Sequence, residues 1–102
     1  LEDLNLWYDD ISDEGIAALL PLTKLKKLNL ESTSVGDAGA EQLATMTSLT
    51  TLNLRETRLS EAGLAHLQNL PQLTFLDVGA TGVTDDGVAK LQEALPKCEV
   101  RR

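Results

Sequence analysis

The sequence predicts an α/β fold: a right-handed solenoid bent into a short horseshoe arc, with parallel strands on the concave face and short helices on the convex face. Three observations predict it. An L-x-x-L-x-L stretch begins at Leu1, Leu25, Leu49 and Leu73, so its starts lie 24 residues apart. The apolar spacing within each unit changes from two residues to three. The 102-residue chain holds only one Trp, one Tyr and one Phe, so a core must come from Leu, Ile, Val and Ala, which suits thin regular layers. A fixed period of this size means stacked supersecondary units.

With each unit numbered from its first Leu, seven columns are apolar throughout, 28 residues in all. Position one is Leu1, Leu25, Leu49, Leu73. Position four is Leu4, Leu28, Leu52, Leu76, and position six is Leu6, Leu30, Leu54, Val78. Polar neighbours alternate with positions four and six, the period of a strand. Position eleven is Ile11, Val35, Leu59, Val83. Ile16, Ala40, Leu64, Val88, then Leu19, Leu43, Leu67, Leu91, then Leu22, Met46, Leu70, Ala94 recur every third residue, the stripe of a short helix with one buried face. This register makes a single domain of repeats 1–24, 25–48, 49–72 and 73–96, followed by a terminal strand at 97–102.

Each helix has a start signal. Ser12, Gly36, Ser60 and Thr84 stand where an N-cap belongs. Asp13, Asp37, Glu61 and Asp85 follow, where an acid favours the positive end of the helix dipole. Gly15, Gly39, Gly63 and Gly87 come next, although glycine inside a helix costs about 1 kcal/mol against alanine. Four glycines in one column predict a close approach between neighbouring coils. Pro21, Pro71 and Pro96 mark helix ends. Strands stack about 4.8 Å apart and helices need about 10 Å, so the helix side fans out and the strands line the concave face. The crossover is expected to be right-handed.

The two ends differ. Leu95-Pro96-Lys97-Cys98 reads as Leu70-Pro71-Gln72-Leu73 with one residue inserted, which would put Cys98 and Val100 on the inward face of a final strand. Arg101 and Arg102 guard that edge. Leu1, Leu4 and Leu6 have no such guard, so edge-to-edge self-association through the first repeat, or an upstream repeat, is expected.

The formal charge of -7 argues against nucleic acid as the main partner, because phosphate binding needs a surplus of Lys and Arg. It argues equally against an anionic membrane surface. No apolar run approaches a membrane span and no leader pattern precedes the first repeat. One cysteine, Cys98, allows no internal disulfide. Together these favour an intracellular location.

The columns carry a resemblance to leucine-rich repeat proteins over almost the whole chain. The half-repeat Val83-Thr84-Asp85-Asp86-Gly87-Val88-Ala89-Lys90-Leu91 is similar to the 24-residue repeats of bacterial and F-box-associated members. Val35-Gly36-Asp37-Ala38-Gly39-Ala40 resembles the GALA variant of the ribonuclease-inhibitor-like class. Position nine departs from the family, which usually has Asn there to bond successive loops. This chain has Asp9, Thr33, Thr57 and Thr81, and a hydroxyl serves such bonding less completely. Cysteine-rich caps and an F-box are absent. The resemblance implies a protein-binding scaffold acting through its concave face and implies no catalysis and no cofactor.

Positions three, five and seven point outward from the strands. All three aromatics fall there or just beyond: Trp7, Tyr8 and Phe75. Exposed Trp, Tyr and Arg are the usual material of interface hot spots. Trp7 and Tyr8 read equally as contacts or as a shield over the first repeat's edge. Phe75 reads as a contact because its neighbour Thr51 is too small to cover it. Asn5, Asn29 and Asn53 read first as a solvated column of amides bonded to one another, and second as donors to a partner. The expected partner-binding set is Trp7, Tyr8, Asn29, Glu31, Asn53, Arg55, Phe75 and Asp77. The acids Asp9, Asp10, Asp13, Glu14, Asp85 and Asp86 lack the converging spacing of a calcium loop, and the helix dipole explains them. His66 falls in an outward helix column. Cys98 reads as a small apolar residue, with Lys97, Arg101 and Arg102 near in sequence. No P-loop, dinucleotide fingerprint, nucleophile elbow or zinc spacing occurs.

Overall fold

The alternation around position four is brief, and the strands are correspondingly short. In the computed structural model, which describes residues 1–102, they are β1 (Asp3–Asn5), β2 (Lys27–Asn29), β3 (Thr51–Asn53), β4 (Phe75–Asp77) and β5 (Glu99–Arg101). All pair in parallel, in chain order. The helices are α1 (Asp13–Ile16, continued by a 3₁₀ turn Ala17–Leu19), α2 (Asp37–Leu43), α3 (Glu61–Leu67) and α4 (Asp85–Ala94). The strands line the concave face and the helices the convex one.

Between these layers lie 22 buried apolar residues. Every one except Cys98 belongs to the seven columns, so the periodicity alone specifies the core. The column residues that escape full burial all sit in the first and fourth units: Leu1, Leu4, Leu6, Ile11, Leu22, Val88 and Ala94. Leu1 is 70% exposed while Leu25 and Leu49 are at 0%, because no coil packs on its outer side.

The expected one-residue insertion is present at the turn, where Cys98 N–H bonds Leu95 O as Leu73 N–H bonds Leu70 O, but the strand that follows does not keep it. Phe75 pairs with Glu99 and Leu76 with Val100, so the spacing of 24 is kept. Helix α4 runs to Ala94 where α3 stops at Leu67, and the return to β5 is shortened. Cys98 enters the core from that tighter path, 3% exposed. Gln92 holds the path by donating Nε2 to the carbonyls of Leu95 and Cys98, at 3.2 and 2.5 Å.

Three local devices end the strands. Position five accepts from the position-seven N–H through its side-chain oxygen: Asn5 from Trp7, Asn29 from Glu31, Asn53 from Arg55 and Asp77 from Gly79, all at 2.9–3.0 Å. The asparagines therefore bond their own backbone rather than one another. Position eight then takes a left-handed conformation, with φ of 65° at Tyr8, 61° at Ser32, 57° at Glu56 and 54° at Ala80. Each non-glycine residue there carries about 1–2 kcal/mol of strain, offset by a ladder bond onward to the next coil from Tyr8, Ser32 and Glu56. Finally, Thr33, Thr57 and Thr81 donate Oγ1 to the position-six carbonyls of Leu30, Leu54 and Val78, at 2.6–2.7 Å. The threonines thus pin the turn of their own coil and make no bond between loops.

The acids at helix starts do more than favour the dipole. Asp13 Oδ1 accepts from the N–H groups of Gly36 and Gly39 in the next coil, at 2.6 and 2.9 Å. Asp37 Oδ1 accepts from Ser60 and Gly63, at 2.8 and 3.0 Å, and its Oδ2 from the Ser60 hydroxyl at 2.5 Å. Glu61 accepts from Thr84 N–H at 2.5 Å. Each acid therefore caps the following helix, supplying the acceptor that its N-terminal N–H groups lack. Ser12, Gly36, Ser60 and Thr84 occupy the expected N-cap positions, but only the Thr84 hydroxyl accepts a cap bond, from Gly87 N–H at 3.3 Å.

The glycine column has the same cause. A Cβ on Gly63 would lie 2.5 Å from Asp37 Oδ1 and 3.0 Å from Asp37 Cα, and one on Gly39 would lie 2.6 Å from Asp13 Oδ1. One on Gly87 would strike the Glu61 carboxylate, whereas Gly15, with no coil before it, is crowded by Ile11 of its own coil. Helix propensity favours Gly63→Ala by about 1 kcal/mol, yet overpacking against a backbone atom costs about 1–3 kcal/mol. Gly63→Ala is therefore expected to lower stability in urea unfolding. A rise would show that the clasp has room to spare.

Candidate functional site

The concave face carries the outward columns side by side. The parallel register sets Asp3, Lys27, Thr51, Phe75 and Glu99 in one row and Asn5, Asn29, Asn53, Asp77 and Arg101 in the next. Asp3, Lys27, Thr51 and Phe75 of the first row and Asn5, Asn29 and Asn53 of the second line a shallow depression of about 340 Å³, floored by Leu4 and Leu28. Of the expected contact residues, Asn29, Asn53 and Phe75 meet there. Trp7, Tyr8, Glu31 and Arg55 lie beyond the strand ends, and Asp77 is spent on the Gly79 N–H.

Trp7 and Tyr8 stack on each other, with centroids 5.9 Å apart and planes at 27°. They are 56% and 77% exposed, so they shield little of the first coil's edge. Phe75 is half-buried, and Arg101 covers it from the side opposite Thr51, its guanidinium carbon 5.5 Å from the ring centroid. Arg101 itself is held by Glu99, at 3.0 Å. The terminal arginine expected to guard an edge thus also roofs an aromatic.

The polar groups are unequally committed. Each Asn oxygen is engaged by backbone, which turns the amide nitrogens outward as donors. Asn53 Nδ2 gives its hydrogen to Glu31 Oε1 at 3.2 Å. Lys27 and Arg55 take part in no ion pair, and the Arg55 guanidinium lies where a side chain on Gly79 would otherwise be. The face therefore offers two uncommitted cations in a chain of net charge -7. Lys27 and Thr51 escaped the expected contact set, although the strand alternation that singled out Phe75 puts them in its row.

The remaining candidates for chemistry are accounted for. Burial, and then the neighbouring Glu99 charge, push the Cys98 thiol up, away from the thiolate a nucleophile needs. Lys97, Arg101 and Arg102 do not reverse this. His66 sits on the flank of α3 with Nε2 3.6 Å from Glu41 Oε2 of the preceding helix. No three His, Cys, Asp or Glu side chains converge as metal ligands, and no helix is long and apolar enough to cross a membrane.

Comparison with known proteins gives these observations a class. The leucine rich repeat family model matches residues 23–82. This chain belongs to the leucine-rich repeat family, whose members generally serve as protein-interaction modules. Its fold is similar to the solved structure of a leucine-rich repeat protein from Leptospira interrogans, with a TM-score of 0.76, 21% sequence identity and all of this chain covered. The chain spans about a quarter of the length of that protein (25%). No curated protein matches it by sequence.

Proposed function

We propose that this chain is a non-enzymatic recognition module that holds a protein partner on its concave strand face. The observation that carries the reading is the placing of every aromatic off the core. Trp7 and Tyr8 form an exposed stack beyond one end of the strands, and Phe75 lies in the depression between them and the arginine-covered edge. Large rigid side chains of this kind lose little freedom on contact. The uncommitted Lys27 and Arg55 suit acidic groups on the partner, with Asn29 and Asn53 supplying amide donors. Glu31 and Asp77 set the limits of that donor surface. No cofactor enters this reading, and neither nucleic acid nor membrane is a proposed target.

A second reading makes the chain a structural spacer, or part of a longer repeat array, with association through the first repeat. The exposed Leu1 and half-buried Leu4, Leu6 and Ile11 favour it. Against pairing of two first repeats stands their charge, since Glu2, Asp3, Asp9, Asp10, Asp13 and Glu14 face a single Lys24. Sedimentation at low and high salt separates the possibilities. A species that stays monomeric in both argues against self-association, while a dimer strengthened by salt supports it.

Trp7→Ala combined with Phe75→Ala tests the concave-face reading. The pair is expected to abolish capture of the native partner, while the unfolding midpoint moves little because neither ring is in the core. Undiminished capture, or collapse of the fold, refutes the reading.

A further inference from the structure

The three internal junctions of the array share two acceptors on their loop side. One is the position-eleven carbonyl: Ile11, Val35 and Leu59 accept from the N–H groups of Ser34, Arg58 and Gly82 in the next coil, at 3.0, 2.9 and 2.9 Å. The other is the position-thirteen carboxylate of Asp13, Asp37 or Glu61, which accepts from the next helix start. The fourth coil presents the same pair, Val83 carbonyl and Asp85 carboxylate. Here Arg102 donates Nε to Val83 O at 3.0 Å and Nη1 to Asp85 Oδ1 at 2.5 Å.

We propose that the Arg102 guanidinium pins β5 to the start of α4 by occupying, on the fourth coil, the two acceptors that in the other coils take the N–H groups of the following loop. The register supports this. Leu76 pairs with Val100 and Asp77 with Arg101, so Arg102 follows at the position filled by Leu6, Leu30, Leu54 and Val78 in the other coils. At that place a leucine would turn inward and build another layer of core. The arginine turns toward the loops, its side chain 45% exposed. Guanidinium chemistry suits the task, because adjacent donors in one rigid plane reach two acceptors together. Lysine, a point donor on a flexible stem, holds one at a time. The two acceptors otherwise take neutral backbone N–H groups, so the role requires hydrogen-bond geometry more than charge.

That distinction makes the proposal testable against an ordinary surface ion pair, which contributes little. The measurement is amide hydrogen exchange of the whole chain by NMR, for Arg102→Ala, Arg102→Lys and Asp85→Asn. The readouts are the N–H groups of Gly82 and Thr84, which tie the fourth loop to the third coil. Arg102→Ala is expected to speed their exchange by about tenfold or more as the loop frays, with Leu52 and Leu54 unchanged. Arg102→Lys should exchange as fast as Arg102→Ala, and Asp85→Asn, which keeps an acceptor, should match the parent chain. Exchange unaltered in Arg102→Ala would overturn the proposal. So would a lysine that restores protection together with an Asp85→Asn that loses it, since that pattern belongs to a plain charge pair. Arg102→Lys and Asp85→Asn keep the test decisive should Arg102→Ala fail to fold.

Discussion

A carboxylate reaching from one coil to the start of the next helix is the interaction on which the rest of this structure depends. Each helix is too short to be stable alone, and its first N–H groups have no partner within it. Asp13 and Asp37 supply that partner from the preceding coil, binding the N-cap and third-residue N–H groups together. A cap of this kind contributes about 1–2 kcal/mol, and here the bond also fixes the spacing of two layers. The glycine column follows, because the approach of the acid leaves no space for a Cβ. Glu61, one methylene longer, bonds only Thr84 and covers Gly87 instead, and α4 recruits the Thr84 hydroxyl for the remaining N–H. Helix α1 is the shortest, breaking into a 3₁₀ turn after Ile16.

The clasp ties successive coils together at their helix starts, and the proposed function uses the regular strand face on their other side. Successive strands keep the 24-residue register from β1 to β5, so the outward side chains stand in fixed rows. The oxygens of Asn5, Asn29, Asn53 and Asp77 are spent on ending their strands, which restricts what the face can offer: amide donors, two cations and a partly covered phenyl ring. Recognition chemistry is thus limited by the same residues that shape the backbone.

Much of this was legible in the sequence. The seven apolar columns specify all of the buried core except Cys98, and they specify the strand register and the exposed first coil, because burial and period are properties of side-chain type. What escaped were relations between residues about two dozen apart. An aspartate at a helix start looks the same whether it serves its own dipole or the next coil's N–H groups. The left-handed position eight carries Tyr8, Ser32, Glu56 and Ala80 with no glycine or asparagine to announce it. Arg101 over Phe75 joins an end to a column that seemed uncovered. Of the three aromatics the strand alternation singles out, only Phe75 lies in the concave depression, and Lys27 stands out only once the ion pairs of its neighbours are known.

The most direct test of the clasp is the titration of Asp37, followed by carboxyl carbon NMR together with stability against pH in the parent chain and in Asp37→Asn. Burial works to raise this carboxyl, but the Ser60 hydroxyl, the Ser60 and Gly63 N–H groups and the His66 charge outweigh it and hold the group below its ordinary value. A carboxyl lowered on folding adds stability above its unfolded value of about 3.9, and that contribution is lost as pH falls through the folded value. The predicted result is a carboxyl that titrates below that value, with a stability advantage over Asp37→Asn that shrinks through the same acid range. An ordinary or raised titration, with an advantage independent of pH, would contradict the account.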